Sequence, residues 1–265
     1  MKRETGETIL EIKNATKAFG GFNAVNDFHM EVLKGNIHAI IGPNWAGKTT
    51  LINLISGLLP PTSGDFRYMG RRLNGLRADQ RTALGMSRTF QNIRIFREMT
   101  TIENVMVARH CRIPSSIWHL LFRSLIFKVP FKSMTTEKDM RQKSGELLDF
   151  VGISHRANTR ASSLPYGEQR LLEMAQALAS DPKLILLDEP VAGMNPKEKD
   201  SVKLLIRRIS DMGITVLFIE HDMRVVMDIS DRVTVINFGM KIAEGRPEEI
   251  RNDPVVIEAY LGKEE

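Results

Sequence analysis

A glycine-rich segment that ends in Lys-Thr carries the strongest chemical signal in the sequence. Residues 42–49, GPNWAGKT, fit the pattern GxxxxGK[ST], and an apolar run at 37–41 precedes them. Leu51, Leu54 and Ile55 then recur at helical spacing. Strand, glycine loop and helix in this order form the context in which the pattern binds phosphate. The segment therefore predicts a polyphosphate site.

Backbone N–H groups would supply much of this site. In such a loop they point inward and carry a partial positive charge, which suits a polyphosphate. We expect Lys48 to reach the β- and γ-phosphate oxygens and the Thr49 hydroxyl to ligate Mg²⁺. The predicted nucleotide-binding residues of the loop and the helix start are Gly42, Pro43, Asn44, Trp45, Ala46, Gly47, Lys48, Thr49 and Thr50.

Polar residues stand at the ends of other predicted strands. Asp188 and Glu189 follow the run LILL, which is typical of a parallel strand buried on both faces. His221 follows a second apolar run, and Gln91 ends a predicted strand at 85–91. A lone His or Gln is most simply a structural side chain. Ligands of open α/β sheets bind at the carboxyl ends of the strands, however, so four such residues favour a shared site.

Each of these residues has a candidate role beside a bound triphosphate. Asp188 would hold Mg²⁺ through its water shell and pair with Thr49, and Glu189 would orient or deprotonate a water molecule aimed at the γ-phosphate. Gln91 would ligate Mg²⁺ or the attacking water, and His221 would stabilise charge on the γ-phosphate. The predicted catalytic residues are thus Glu189, His221 and Gln91.

Composition and charge are those of an ordinary globular protein. The 265 residues are 42% hydrophobic and 26% charged, and the net charge of +5 is not the concentrated basic footprint of a nucleic-acid binder. The single cysteine, Cys111, excludes an internal disulfide and fits a reducing cytosol. No apolar signal-peptide core follows Met1, and no apolar run approaches the ~20 residues of a membrane-spanning helix. If the protein works at a membrane, we therefore expect it to dock on the membrane and not to span it.

The region at 112–163 differs from the rest, because it is helix-prone, rich in Lys and Arg, and without obvious strands. We expect a nucleotide-binding core lobe formed by 1–91 and 164–265, and a helical lobe formed by 92–163. In residues 116–128 the polar side chains share one helical face and the remaining surface is apolar. That segment either docks on a partner or on lipid headgroups, or is buried inside the helical lobe.

The order of these motifs resembles the nucleotide-binding subunit of an ATP-binding cassette (ABC) transporter over essentially the whole chain. LPYGE is decisive, because generic P-loop proteins lack such a second motif. The resemblance implies the Walker A loop at 42–50, the glutamine loop at Gln91, the Walker B pair Asp188–Glu189 and the switch histidine His221. The signature that faces a partner's ATP is Leu164, Pro165, Tyr166, Gly167 and Glu168.

The resemblance also implies the fold and the assembly. The expected fold is α/β, a P-loop NTPase (RecA-like) core with a mixed sheet, an N-terminal antiparallel β subdomain and an inserted α-helical subdomain. Two cassettes would form a head-to-tail dimer, with each ATP between one Walker A loop and the other signature. Phe19 matches the aromatic that stacks on adenine, whereas the residues around it alone favour a core side chain.

Within the family the sequence is most similar to an ATPase subunit of the branched-chain amino-acid importers. Several stretches carry this similarity: RTFQNIR, AGMNP, IEHDM, the tail at 252–262 and the insert at 117–134. The implied partners are a second ATPase subunit, in a heterodimer or homodimer, two permease subunits and, indirectly, a solute-binding protein. The implied location is the cytoplasmic face of the inner membrane. The solute stays open, because close relatives carry amides, urea or aromatic-acid-derived substrates.

Other functions fit less well. An ATPase that exports or extracts a lipid is a relative, but the insert and the tail argue against it. A soluble ABC protein of DNA repair or translation would carry a second cassette, a coiled-coil arm or a dense basic patch. A small-molecule kinase would use the same phosphate loop but has no use for LPYGE or His221.

Three positions depart from the family pattern. Trp45 replaces a glycine, and a bulky residue is disfavoured there only if the backbone needs a positive φ or a ligand approaches the Cβ. Pro165 replaces the signature serine, which removes a charge-assisted hydrogen bond worth roughly 1.5–3 kcal/mol. We expect the pocket that uses this signature to be the weaker of the two if the partner's signature keeps its serine. Asn195 stands where many relatives have aspartate.

Overall fold

The computed structural model describes residues 6–110 and 137–261. Cys111, the amphipathic segment at 116–128 and the insert at 117–134 lie outside these residues. The chain divides into two compact units, the first formed by Met1–Ile93 with Pro182–Glu265 and the second by Arg94–Asp181.

Strands and helices alternate along the chain in the manner of an α/β protein. The strands of the described residues are β1 (Thr8–Phe19), β2 (Phe22–Leu33), β3 (Ile37–Ile41), β4 (Ser63–Tyr68), β5 (Arg71–Arg72), β6 (Met86–Arg88), β7 (Leu184–Asp188), β8 (Thr215–Ile219), β9 (Arg232–Asn237) and β10 (Met240–Gly245). The helices are α1 (Lys48–Ser56), α2 (Ala78–Ala83), α3 (Thr101–His110), α4 (Glu137–Phe150), α5 (Tyr166–Leu178), α6 (Pro196–Asp211), α7 (Met223–Ile229), α8 (Pro247–Arg251) and α9 (Pro254–Leu261).

The first unit contains two sheets. The larger has the order β10-β9-β3-β8-β7-β6, with β10 antiparallel to β9 and the other neighbours parallel. Every residue of β3, β7 and β8 is buried, which explains why their sequences are mostly apolar. The smaller sheet is antiparallel, in the order β2-β1-β4-β5. One hydrophobic cluster joins both sheets to α1, so the helix after the glycine loop is fixed on its apolar side.

The second unit is helical within the described residues. Helix α5 packs against α3 and α4, so the structure groups α5 with this unit, whereas the sequence pattern had suggested that 164–265 belong to the core lobe. The start of α3 forms a capping box: the Thr100 N–H donates to Glu103 Oε2 at 2.8 Å, and the Glu103 N–H donates to Thr100 Oγ1 at 3.4 Å. None of the helices in the described ranges is long and apolar enough to cross a bilayer.

The strand expected at 85–91 is shorter than predicted. β6 ends at Arg88, because this edge strand pairs only with β7 and its last backbone contact is from the Thr89 N–H to Leu186 O, at 2.9 Å. Gln91 therefore lies in the loop after the strand, not at its last residue. The β9–β10 hairpin turns at Gly239.

Candidate nucleotide-binding and hydrolysis site

The glycine loop connects β3 to α1, and neighbouring backbone explains its two glycines. A Cβ at Gly42 would collide with the carbonyl oxygen of Ile236, and one at Gly47 with that of Ala24. Gly47 also has φ of 102° where it caps α1. Larger residues at either position would push the loop away from the strands that support it.

Lys48 lies across the loop. Its Nζ donates to the carbonyl oxygens of Gly42 and Pro43, both at 2.7 Å. Burial lowers the pKa of this ammonium, and the nearby negative charge of Glu189 partly opposes that shift. Thr49 follows with an exposed side chain, and the first turn of α1 contains no acidic residue. The start of α1 therefore presents N–H groups and an ammonium to an anion.

Contacts from the other end of the chain brace the same loop. The Gly239 N–H donates to Ala46 O at 2.9 Å. The Tyr260 hydroxyl bonds to the backbone of Gly42, and desolvation of that hydroxyl raises the pKa of Tyr260 to about 12 although the residue as a whole is 37% exposed. Sequence reasoning did not anticipate either support, because both residues lie about 200 positions further along the chain.

Trp45 occupies a strained position beside the loop. Its φ is 67°, in the left-handed region that favours glycine, and its side chain is 96% exposed. The backbone at position 45 therefore has the positive φ that disfavours a bulky residue. The indole borders a cleft of about 630 Å³ whose other apolar walls include Phe22, Phe238, Ile242 and Val255.

Asp188 is buried and holds an ion pair. The Arg88 Nη2 donates to its Oδ2 at 2.9 Å, and both side chains are less than a tenth exposed. The other guanidinium nitrogen, Nη1, donates to Asn53 Oδ1 at 2.7 Å and to Ser56 Oγ at 2.8 Å, both on α1. Arg88 thus ties the end of β7 to the helix that begins with Lys48. The sequence pattern gave Arg88 no role.

Three predicted catalytic residues meet at the ends of β7 and β8. Gln91 Nε2 lies 3.4 Å from Glu189 Oε2, and His221 Nδ1 lies 3.9 Å from Glu189 Oε1. The Glu189 side chain is mostly buried, whereas Gln91 and His221 are exposed. A mostly buried carboxylate between an amide and an imidazole can hold a water molecule and accept its proton.

The residues expected to hold Mg²⁺ fit that ion. Thr49, Gln91 and Asp188 offer a hydroxyl, an amide and a carboxylate, which are hard oxygen donors. One carboxylate oxygen of Asp188 is already bonded to Arg88. In the residues that the structure describes, no group of three or more His, Cys, Asp and Glu side chains is arranged to hold a metal ion by itself. This donor set suits a cation that keeps several waters and is shared with phosphate oxygens.

Phe19 is exposed at the end of β1. Its ring is 49% exposed and carries the Lys17 ammonium 5.1 Å from its centre, so the alternative of a core side chain is wrong. It pairs in register with Phe22, which lines the cleft beside the phosphate loop. Because the ring is exposed, stacking on adenine stays its predicted role.

The predicted signature opens α5 in the second unit. Pro165 is the N-cap and its ring offers no side-chain acceptor, while Leu164 and Gly167 are buried and Tyr166 is 46% exposed. The Glu168 carboxylate is held within the same unit, by Arg156 Nε at 3.0 Å and His155 Nε2 at 3.6 Å. The N-terminal N–H groups of α5 therefore lack an internal side-chain cap.

The fold and the phosphate loop define a P-loop ATPase with a second, helical unit. The family described as ABC transporter matches residues 25–192, and the family described as branched-chain amino acid ATP-binding cassette transporter matches residues 240–265. The chain therefore belongs to the ABC transporter ATP-binding family, and the predicted family and fold class are confirmed.

Curated relatives match nearly the full chain. The high-affinity branched-chain amino acid transport ATP-binding protein BraF of Pseudomonas aeruginosa is 42% identical over 96% of this chain and 98% of its own length. The corresponding LivG protein of Escherichia coli K12 is 40% identical over 97% of this chain and 99% of its own length.

Solved structures of ABC cassettes share the fold. A nucleotide-free ATP-binding cassette from an ABC transporter is 33% identical, with a TM-score of 0.83 over 97% of this chain and 100% of that chain. The ADP conformation of the cassette MJ1267 is 32% identical, with a TM-score of 0.83 and the same coverage.

Proposed function

We propose that the chain is the ATP-binding and ATP-hydrolysing subunit of an importer for branched-chain amino acids or a related small amide or amino-acid-like solute. The observation that carries the proposal is the meeting of Gln91, Glu189 and His221 beside the ion-paired Asp188, on the unit that holds the Lys48 loop. The names of the curated relatives and the match at 240–265 support the class of solute.

Each residue has a part in hydrolysis. Lys48 exchanges its bonds to the loop carbonyls for the β- and γ-phosphate oxygens, and Phe19 stacks on the adenine. Thr49 and Gln91, with Asp188 through a water molecule, would hold Mg²⁺, which would supply positive charge to neutralise the phosphates. Glu189 orients the attacking water and takes its proton, while His221 bonds the γ-phosphate as charge develops.

The transported solute never enters this chain. Leu164–Glu168 of one cassette would cover the triphosphate on a second ATPase subunit, so that binding of ATP closes the pair and hydrolysis reopens it. The loop after Gln91 would pass that motion to two permease subunits, which receive solute from a binding protein. The chain would thereby work on the cytoplasmic face of the membrane without crossing it.

Solute-stimulated hydrolysis tests this assignment. The chain is purified with the permease and ATPase subunits expressed beside it, reconstituted in liposomes with the binding protein, and assayed for phosphate release. We expect leucine, isoleucine or valine, or a small amide, to stimulate hydrolysis, and Lys48→Ala to abolish it. Stimulation by a lipid instead of any such solute would contradict the proposed import function.

A further inference from the structure

Glu220 lies between the last residue of β8 and His221 and is 1% exposed. A buried carboxylate is costly unless hydrogen bonds satisfy its oxygens. Neither the family motifs nor the predicted catalytic set gives this residue a role, so its partners are informative.

The carboxylate of Glu220 accepts three backbone N–H groups from two different loops. Its Oε1 accepts from the Val191 N–H at 3.1 Å, in the loop after β7. Its Oε2 accepts from the N–H groups of His221 at 2.9 Å and Asp222 at 3.2 Å, in the loop after β8. One side chain therefore connects the loop that carries Glu189 to the loop that carries His221.

The loop after β7 needs such a restraint, because Glu189 has φ of 49°. A non-glycine residue in this conformation is strained and persists only where its surroundings enforce it. The Glu189 N–H donates to Ile219 O at 3.0 Å, and Val191, two residues on, donates to Glu220. Both tethers come from consecutive residues at the end of β8.

We propose that Glu220 is a positioning residue for hydrolysis. It fixes the position of the strained turn at Glu189 relative to His221. The inference rests on the proposed roles of Glu189 and His221 and adds the group that fixes their separation. Loss of the tether should slow the chemical step more than it weakens nucleotide binding, because the three hydrogen bonds of Glu220 go to the loops after β7 and β8 and not to the phosphate loop.

The test replaces the carboxylate by an amide of the same shape. In Glu220→Gln one terminal atom becomes an NH₂ group, which cannot accept from a backbone N–H. Glu244→Gln is the matched control, because Glu244 is a mostly buried carboxylate of the same unit and its bonds go to Arg232 and Lys241, outside the site. The assembled transporter gives kcat and KM for ATP, and the full chain gives the Kd for ATP and amide hydrogen exchange.

We expect Glu220→Gln to lower kcat at least tenfold while the Kd for ATP stays within twofold of wild type. Amide exchange should accelerate at Val191, His221 and Asp222 but not along β7. Glu244→Gln should keep kcat within twofold. If Glu220→Gln does not fold, Glu220→Asp is measured in the same way, since its shorter side chain cannot reach both loops and should also lower kcat.

A kcat within twofold of wild type in Glu220→Gln would overturn the inference, as would an equal loss in Glu244→Gln. Glu189→Gln, measured alongside, separates the two claims. If Glu189→Gln hydrolyses ATP at the wild-type rate, the proposed function fails and the inference fails with it. If Glu189→Gln is inactive and Glu220→Gln is unchanged, only the inference fails.

Discussion

At the residue scale, Trp45 combines a strained backbone with an exposed indole beside the phosphate loop. Trp45 holds a left-handed backbone at a cost of about 1 kcal/mol or more. We expect Trp45→Gly to raise the free energy of unfolding by about 1 kcal/mol and to speed ATP hydrolysis by the assembled complex, because the exposed ring would otherwise stand against the facing subunit. Denaturant unfolding and steady-state phosphate release measure the two effects.

Phe238 offers a matched control for that substitution. It too has a positive φ, 46°, and it is 76% exposed on the same cleft. Phe238→Gly should relieve similar strain and leaves the side chains of the phosphate loop in place, so stability should rise while hydrolysis is unchanged. Equal hydrolysis rates in wild type and Trp45→Gly would remove Trp45 from any part in closure or turnover.

The buried pair of Arg88 and Asp188 makes a second prediction. Arg88→Met should lower the free energy of unfolding by about 3–5 kcal/mol, because it leaves a carboxylate buried without its partner. Asp188→Asn added to Arg88→Met should recover part of this loss, since no unpaired charge remains. Unfolding of wild type, Arg88→Met, Asp188→Asn and the double variant in guanidinium chloride completes the double-mutant cycle. A change below 1 kcal/mol in Arg88→Met would contradict the account of this pair.

At the scale of elements, the larger sheet contains a buried histidine that is not part of the predicted site. His38 on β3 is fully buried, and its Nε2 lies 2.8 Å from Thr234 Oγ1 on β9. Burial lowers its pKa from 6.5 to about 4, and the negative charge of Glu244 opposes this only partly. Between those pH values the unfolded chain binds more protons than the folded chain, so stability falls as the pH falls.

We expect this histidine to make the free energy of unfolding decrease by about 3 kcal/mol between pH 6.5 and pH 4. His38→Gln should flatten that slope. Thr234→Val breaks the hydrogen bond but retains the imidazole, so it should lower stability at every pH and leave the slope intact. The same slope in His38→Gln and wild type would show that other groups cause the pH dependence.

Elements with strong local patterns could be predicted from the sequence. The buried runs of β3, β7 and β8 are mostly apolar, and Thr100 with Glu103 marks the start of α3. Asn195 forms a similar capping box with Glu198 at the start of α6, so an amide serves there as a helix cap.

Other features depend on which strands become neighbours, and local sequence does not contain that information. Arg88 meets Asp188, a hundred residues away, only because β6 lies beside β7. Glu220 meets Val191 only because β7 lies beside β8. The boundary of the core lobe differs for the same reason, since α5 packs on α3 and α4.

At the scale of the whole molecule, the residues predicted to bind nucleotide belong to both units of the chain. The first unit carries Lys48, Asp188, Glu189 and His221, whereas the second unit carries the signature at the start of α5. The central claim is that a triphosphate on one cassette is completed by the signature of another, which makes hydrolysis depend on a partner.

Trapping the closed pair tests this claim most directly. Glu189→Gln is mixed with ATP and Mg²⁺, alone and with the ATPase subunit expressed beside it, and the mass is followed by analytical ultracentrifugation. We predict an ATP-dependent dimer that contains bound ATP. The dimer should be lost when Lys48→Ala or Gly167→Asp is added to Glu189→Gln. A Glu189→Gln chain that stays monomeric in both mixtures, or a dimer that survives Gly167→Asp, would contradict the account.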